Sequence, residues 1–196
     1  MPKIQLPISA AGIRTLKAGD QVEISGVMVT GRDTAHKYMI EQRPDSLKKI
    51  LNGSIIYHCG PVVAKAGNTY RFVAAGPTTS IREEPYEADV IAHYGVRGVI
   101  GKGGMGPKTL AACAKHGAVY LHAIGGLAAV LADSVKEVVD VHMLEEFGVP
   151  EAMWVIRVEN FPAVVTIDSH GRSLHEEIEK ASASELNRLS DDIGND

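Results

Sequence analysis

Residues 96–117, VRGVIGKGGMGPKTLAACAKHG, constrain the fold more than any other stretch. A short apolar strand (96–100) runs into four glycines within six residues and then into a helix. Pro107 stands at the first helical position, where its missing N–H costs little. Gly117 stands just past the last turn, where a left-handed residue ends helices. A strand that is apolar on both faces but for Arg97 suits a sheet covered on both sides, the usual setting of parallel strands.

Other segments predict the surroundings of this unit. Residues 20–30 alternate and are β-rich, with Gly26 as a bend or bulge. A helix is expected from near Ala35, capped by Asp33 or Thr34. GSIIYHCGPVV (53–63) reads as a strand ended by Gly60-Pro61, and TYRFVAAGPTTS (69–80) as a strand running into a turn. Residues 81–94 read as a helix with Pro85 in its first turn. AVYLHAI is a strand, and 126–146 are mostly helical with a break near Asp133-Ser134. AMWVIRVENFPAVVTID gives two strands around Asn160-Phe161-Pro162, and SLHEEIEKASASELNRL is a polar helix. The expectation is an α/β chain, a parallel sheet joined to a mostly antiparallel layer. It is expected to be one domain over 1–196, with a compact core at about 5–180 and a flexible tail at 189–196.

The 196 residues can bury a sizeable core, and with 45% hydrophobic but only 5% aromatic residues that core must be largely aliphatic. The net charge of −4 is spread in both signs, with no basic cluster for nucleic acid phosphates. No apolar run reaches the roughly 18 residues of a membrane span, and the N-terminus lacks an apolar leader segment. A cytoplasmic protein is therefore expected. Cys59 and Cys113 are far apart and form no CxxC, so neither a disulfide framework nor a thiolate set for an iron–sulfur cluster is expected.

Gly101-x-Gly103-x-x-Gly106 fits the dinucleotide pattern, between a strand and a helix. The acidic residue for a ribose diol is missing after the next strand, and no Gly-Lys precedes Ser or Thr as a P-loop requires. The glycines read as packing residues at a turn. Lys102 goes beyond that need, since a helix N-terminus with a lysine favours an anion.

Thr78, Thr79 and Ser80 cluster at a second strand-to-helix junction, where their hydroxyls could cap the helix. Thr78 and Arg82 are four apart and can share a face, and hydroxyl plus guanidinium suits a carboxylate. Arg32 stands at a third such junction, where a surface pair with Asp33 is the plainer role. If the three strands are parallel neighbours, Arg32, Arg82 and Lys102 gather at one carboxyl edge, where α/β ligands bind. Clustered cations need anions, and a small dicarboxylate suits them better than a dinucleotide. The eight histidines show no tight metal-ligand spacing, though His58 with Cys59 could line a cleft, and Cys113 reads as core.

GRDTAHKYM, GSIIYHCGPVV, AAGPTTSIREEPY, GVRGVIGKGGMG, YLHAIGGLAAVLA and FGVPEAMWVIRVENFPAVVTIDSHGRSL together resemble the β subunit of class I, iron–sulfur-dependent fumarate hydratase, and the similar β subunit of L(+)-tartrate dehydratase. The resemblance runs from about residue 5 to 178. It implies a swivelling β/β/α three-layer domain, with a parallel central sheet and an antiparallel second sheet. It implies a hydro-lyase, inactive alone, that hydrates fumarate to L-malate or, in the tartrate alternative, converts tartrate to oxaloacetate. A separate α subunit would hold a 4Fe-4S cluster with one iron open to substrate, and two α with two β chains is a plausible assembly. By motif, Thr78 is implied as the general base and Arg32, Arg82 and Lys102 as substrate-binding residues. The rival from another class is a non-catalytic anion- or nucleotide-binding module.

Overall fold

The computed structural model describes residues 1–67 and 69–193. Its main sheet contains β1 (Lys3–Gln5), β2 (Gln21–Thr30), β3 (Ile55–Tyr57), β6 (Gly98–Gly101), β7 (Val119–His122), β8 (Val135–His142) and β9 (Met153–Ile167). The order is β1-β2-β3-β6-β7-β9-β8, and β9 also pairs with β2. The pairings from β2 through β3, β6, β7 and β9 therefore return to β2 and close a circuit. β1, β2, β3, β6 and β7 are mutually parallel, whereas β9 is antiparallel to β2, β7 and β8. The central sheet is thus mixed rather than parallel throughout. The second antiparallel sheet is one hairpin, β4 (Val62–Ala66) with β5 (Thr69–Ala74).

Of the short parallel strands, β3, β6 and the first three residues of β7 are buried on both faces, as their apolar sequence requires, whereas Lys3 and Gln5 of the edge strand β1 are exposed. Ile55, Tyr57, Ile100 and Leu121 join one core with Trp154, Ile156 and Phe161 of β9. Their neighbours Ile56, Val99 and Tyr120 point the other way. There they pack under α2 (Asp33–Gln42), α3 (Asp45–Leu51), α4 (Glu84–Tyr94) and α5 (Pro107–His116). Each fully buried aliphatic side chain contributes about 1.5–3 kcal/mol, and two such layers hold the strand ends in place.

Gly26 lies at an irregular step of β2 against β9: from Ile24–Phe161 to Gly26–Val158, β2 advances two residues and β9 three, so the extra residue is on β9. Pro107 opens α5, and Gly117 closes it at φ 69°. Pro85 lies in the first turn of α4. Two expectations are corrected. Only Ala128–Asp133 (α6) and Leu144–Phe147 (α7) of the segment 126–146 are helical, and Val135–His142 between them is β8. Its four valines suit an edge strand, and β9 supplies the partner that local periodicity cannot reveal. Residues 153–167 form one strand, not two, bent where Asn160 takes φ 50°. Of the expected flexible tail 189–196, residues 189–193 continue α8 (Leu174–Ile193), and 194–196 lie outside the described residues. No described helix is long and apolar enough to cross a membrane.

Candidate active site

β5 runs into Gly76-Pro77-Thr78, yet it belongs to the hairpin and is not a parallel neighbour of β3 and β6. The turn reaches the same edge by another route. Beyond the direct bond from His58 N–H to the Ile100 carbonyl, β3 and β6 part and Thr78–Ser80 enters between them. Thr78 N–H donates to the His58 carbonyl at 2.7 Å, Lys102 N–H to the Thr78 carbonyl at 3.1 Å, and Ser80 N–H to the Lys102 carbonyl at 3.1 Å. Thr78 and Lys102 thus become neighbours at the carboxyl end of the parallel strands. Arg32 follows β2 at the same end and occupies the N-cap position of α2.

Arg82, in the 3-10 turn Ser80–Glu83, donates from Nη2 to Thr78 Oγ1 at 3.3 Å and to Asp33 Oδ1 at 3.0 Å. Arg32 Nη1 lies 2.9 Å from Glu151 Oε1. Both arginines therefore carry carboxylates from this chain, which modifies the expectation that three bare cations await an external anion. Lys102 is exposed and makes no ion pair among the described residues. The expected caps differ too. Asp33 is the first residue of α2 and faces Arg82, while neither Arg32 nor Thr79 makes a side-chain cap bond. The threonine hydroxyls are left free of capping work.

Partial burial opposes charge on Asp33, but the neutral Glu83 carboxyl beside it and the Arg82 and Arg32 cations hold its pKa below the usual range. Burial, then the Asp33 carboxylate, pushes Glu83 up to about 8. Asp33 is therefore the ionised member of this pair at neutral pH and Glu83 the protonated one.

The glycine-rich turn has its own logic. A Cβ on Gly101 would lie 1.7 Å from Ser80 Oγ, so glycine is required there for the inserted segment to pack. At Gly106 a Cβ would meet the Glu84 carboxylate at 2.6 Å. That carboxylate accepts from Gly106 N (2.8 Å), Lys108 N (2.9 Å), Thr109 N (3.3 Å) and Thr109 Oγ1 (2.6 Å). The N-terminus of α5 already holds an anion, supplied by the chain, in the place a dinucleotide's pyrophosphate would take.

The two thiols do not suit a cluster. Cys59 lies in one core and Cys113 in the other, on opposite faces of the sheet. Burial pushes Cys59 up to about 12 and raises Cys113 as well, whereas ligation needs thiolate. His58 and Cys59 are both buried and line no open cleft.

Thr78 is half-buried, while Arg82 and Lys102 are exposed, so the four candidate residues form an open ledge. Exposed Ile81 adjoins Arg82, and exposed Ile124 and Leu127 follow β7 beside the Lys102 turn. A small-molecule site normally buries most of its ligand, and this ledge supplies one wall. Sequence reasoning missed Glu151, Glu83, Glu84 and Glu87, because only tertiary packing brings these acids to the ledge or beneath it.

A chain with this mixed sheet and this cationic edge is a member of an established family. It belongs to the fumarase C-terminus family, whose model matches residues 3–178. It is 53% identical to a Geobacillus stearothermophilus protein named "putative fumarate hydratase class I", over 97% of this chain but 36% of that protein. The chain thus spans about a third of that relative's length. It is 40% identical to the L(+)-tartrate dehydratase subunit beta of Escherichia coli K12, over 95% of this chain and 92% of that one. A similarly named Methanocaldococcus jannaschii protein is 43% identical over 90% of this chain and 92% of its own length.

Proposed function

We propose that this chain is the β subunit of a class I fumarate hydratase, reversibly adding water to fumarate to give L-malate. The observation that carries this reading is the joining of Thr78 to Arg82 and Lys102 at one open edge, in a chain of the fumarase C-terminus family. The domain is read as a single one over 1–196, of the swivelling three-layer type. A separate α subunit holds the 4Fe-4S cluster and forms the facing wall over Ile81, Ile124 and Leu127, in an assembly of two α and two β chains. The complex is cytoplasmic, and the β chain alone is inactive.

Arg32, Arg82 and Lys102 bind the substrate, Arg32 and Lys102 at its carboxylates. Removing the proton next to a carboxylate builds negative charge on that carboxylate, and fixed cations in a water-excluded site stabilise it. Thr78 takes that proton. A hydroxyl is a weak base, but the Arg82 guanidinium on its oxygen favours the alkoxide. Asp33, bonded to the same Nη2, gives Arg82 a fixed orientation.

The tartrate reading has its own support: the chain covers 92% of the Escherichia coli subunit beta but 36% of the fumarate hydratase relative. The test is co-expression with a cysteine-bearing α partner and anaerobic reconstitution with iron and sulfide, with assays on fumarate and L(+)-tartrate side by side. Fumarate hydration by the complex and not by the chain alone is expected. Turnover of tartrate alone would select the second reading, and NAD binding without either activity would overturn both.

A further inference from the structure

Behind the ledge lies a buried polar chain that the proposed chemistry leaves unused. His36, His58, Ser80 and Glu87 are each 0% exposed. His36 Nδ1 lies 2.9 Å from the Arg32 carbonyl, and its Nε2 lies 3.1 Å from Glu87 Oε2. The Arg32 carbonyl can only accept, and the Nε2 contact with the Glu87 carboxylate is an ion pair and not an aligned hydrogen bond, an arrangement that suits a doubly protonated His36 imidazolium. His58 Nε2 lies 3.0 Å from the same Oε2, and its Nδ1 lies 2.9 Å from Ser80 Oγ. Because a hydroxyl can donate, His58 stays neutral, giving its Nε2 proton to Glu87 and accepting from Ser80. The two rings meet edge to face at 5.0 Å.

One cation and one carboxylate therefore compensate each other in a dry interior, where either alone would be strongly disfavoured. The titration of the groups agrees. Burial opposes both charges, yet Glu87 and then Glu83 raise His36 to about 9, and the two histidines hold Glu87 at about 2. Burial lowers His58. The other titratable groups facing this chain are Asp33 and Glu83 on the ledge side, with the neutral Cys113 of α5 and Tyr120 of β7 behind.

Each end of the chain is tied to a turn bearing a candidate substrate residue. His36 holds the carbonyl of Arg32. Ser80 stands two residues after Thr78, donates its N–H to the Lys102 carbonyl and packs on Gly101. Glu87 enters from α4, directly after the turn of Arg82. We propose that His36, Glu87, His58 and Ser80 are a positioning network that locks the turns of Arg32, Thr78 and Lys102 to one another. It rests on the site reading given under Proposed function. The same His36, His58 and Glu87 atoms lie within 4.8 Å of one another and could converge on a metal ion, but the Glu87 oxygen is already taken by a hydrogen bond from His58 and an ion-pair contact with His36.

Two measurements test this. In the full chain labelled with 15N-histidine, NMR at neutral pH should show one doubly protonated buried ring and one buried neutral ring protonated at Nε2. A neutral His36, or a stoichiometric metal retained after chelation and dialysis, overturns the proposal. In the complex with the α partner, Glu87→Gln should lower kcat about 10- to 100-fold and leave KM within about threefold, as loosened geometry predicts. Ser80→Ala should give a smaller loss in the same sense, and it decides the kinetic arm if Glu87→Gln does not fold. Wild-type kcat in both variants beside an inactive Thr78→Ala refutes the network and leaves the site reading standing. Normal turnover in Thr78→Ala refutes the site reading instead, and the NMR result still judges the network.

Discussion

Lys102 N–H donates to the carbonyl of Thr78 at 3.1 Å, although the strands leading to the two residues lie in different sheets. The bond exists because Thr78–Ser80 wedges between the ends of β3 and β6, and the wedge fits only over a glycine. Gly101→Ala should therefore destabilise the chain by at least the roughly 1–3 kcal/mol typical of overpacking. Thermal denaturation checks this, and an unchanged midpoint would mean that the wedge packs differently.

Glu84 closes the N-terminus of α5 through three main-chain donors and the Thr109 hydroxyl. Glu84→Ala leaves those donors without their anion and should cost about 1–3 kcal/mol. Calorimetric titration of the unaltered chain with NAD should show no binding. Micromolar binding would restore the nucleotide reading of the glycine motif.

Stability should fall as pH rises from about 7 to 9. His36 has its pKa raised from 6.5 to about 9, so its contribution is complete below 6.5 and is lost as pH rises through 9. Glu83, raised from 4.5 to about 8, stays protonated in the fold while the unfolded chain ionises, so its cost grows between those values. Glu87, lowered to about 2, acts at the other end, with stability present above 4.5 and lost as pH falls through 2. Glu83→Gln keeps the shape without the titrating proton. Its melting temperature should match that of the unaltered chain near pH 5 and exceed it near pH 8.5. A melting temperature of the unaltered chain that climbs between pH 7 and 9 would contradict this ordering.

Much of the ledge was legible in the sequence because strand-to-helix junctions announce themselves. Pro107 and Gly117 bracket α5, and Gly26 marks the irregular step of β2 against β9, since each answers a local backbone requirement. Arg32, Thr78, Arg82 and Lys102 could be grouped because each follows a strand. What could not be read was non-local. The strand character of 135–142 depends on β9, and Thr78 reaches the edge by insertion and not through a parallel β5. The acids beside and beneath the ledge look like ordinary helix-face charges until the fold buries them. Glu83, Glu87 and His36 acquire their charge states from one another, which no spacing rule encodes.

Thr78→Ala in the reconstituted complex tests the central claim most directly. The variant should bind the α partner and show the same cluster absorbance, because Thr78 Oγ1 is bonded only from Arg82 among the described residues. Turnover of fumarate should fall by about 10²- to 10⁴-fold, the usual contribution of a general base. Near-normal turnover in an intact complex would remove Thr78 from the chemistry and contradict the account.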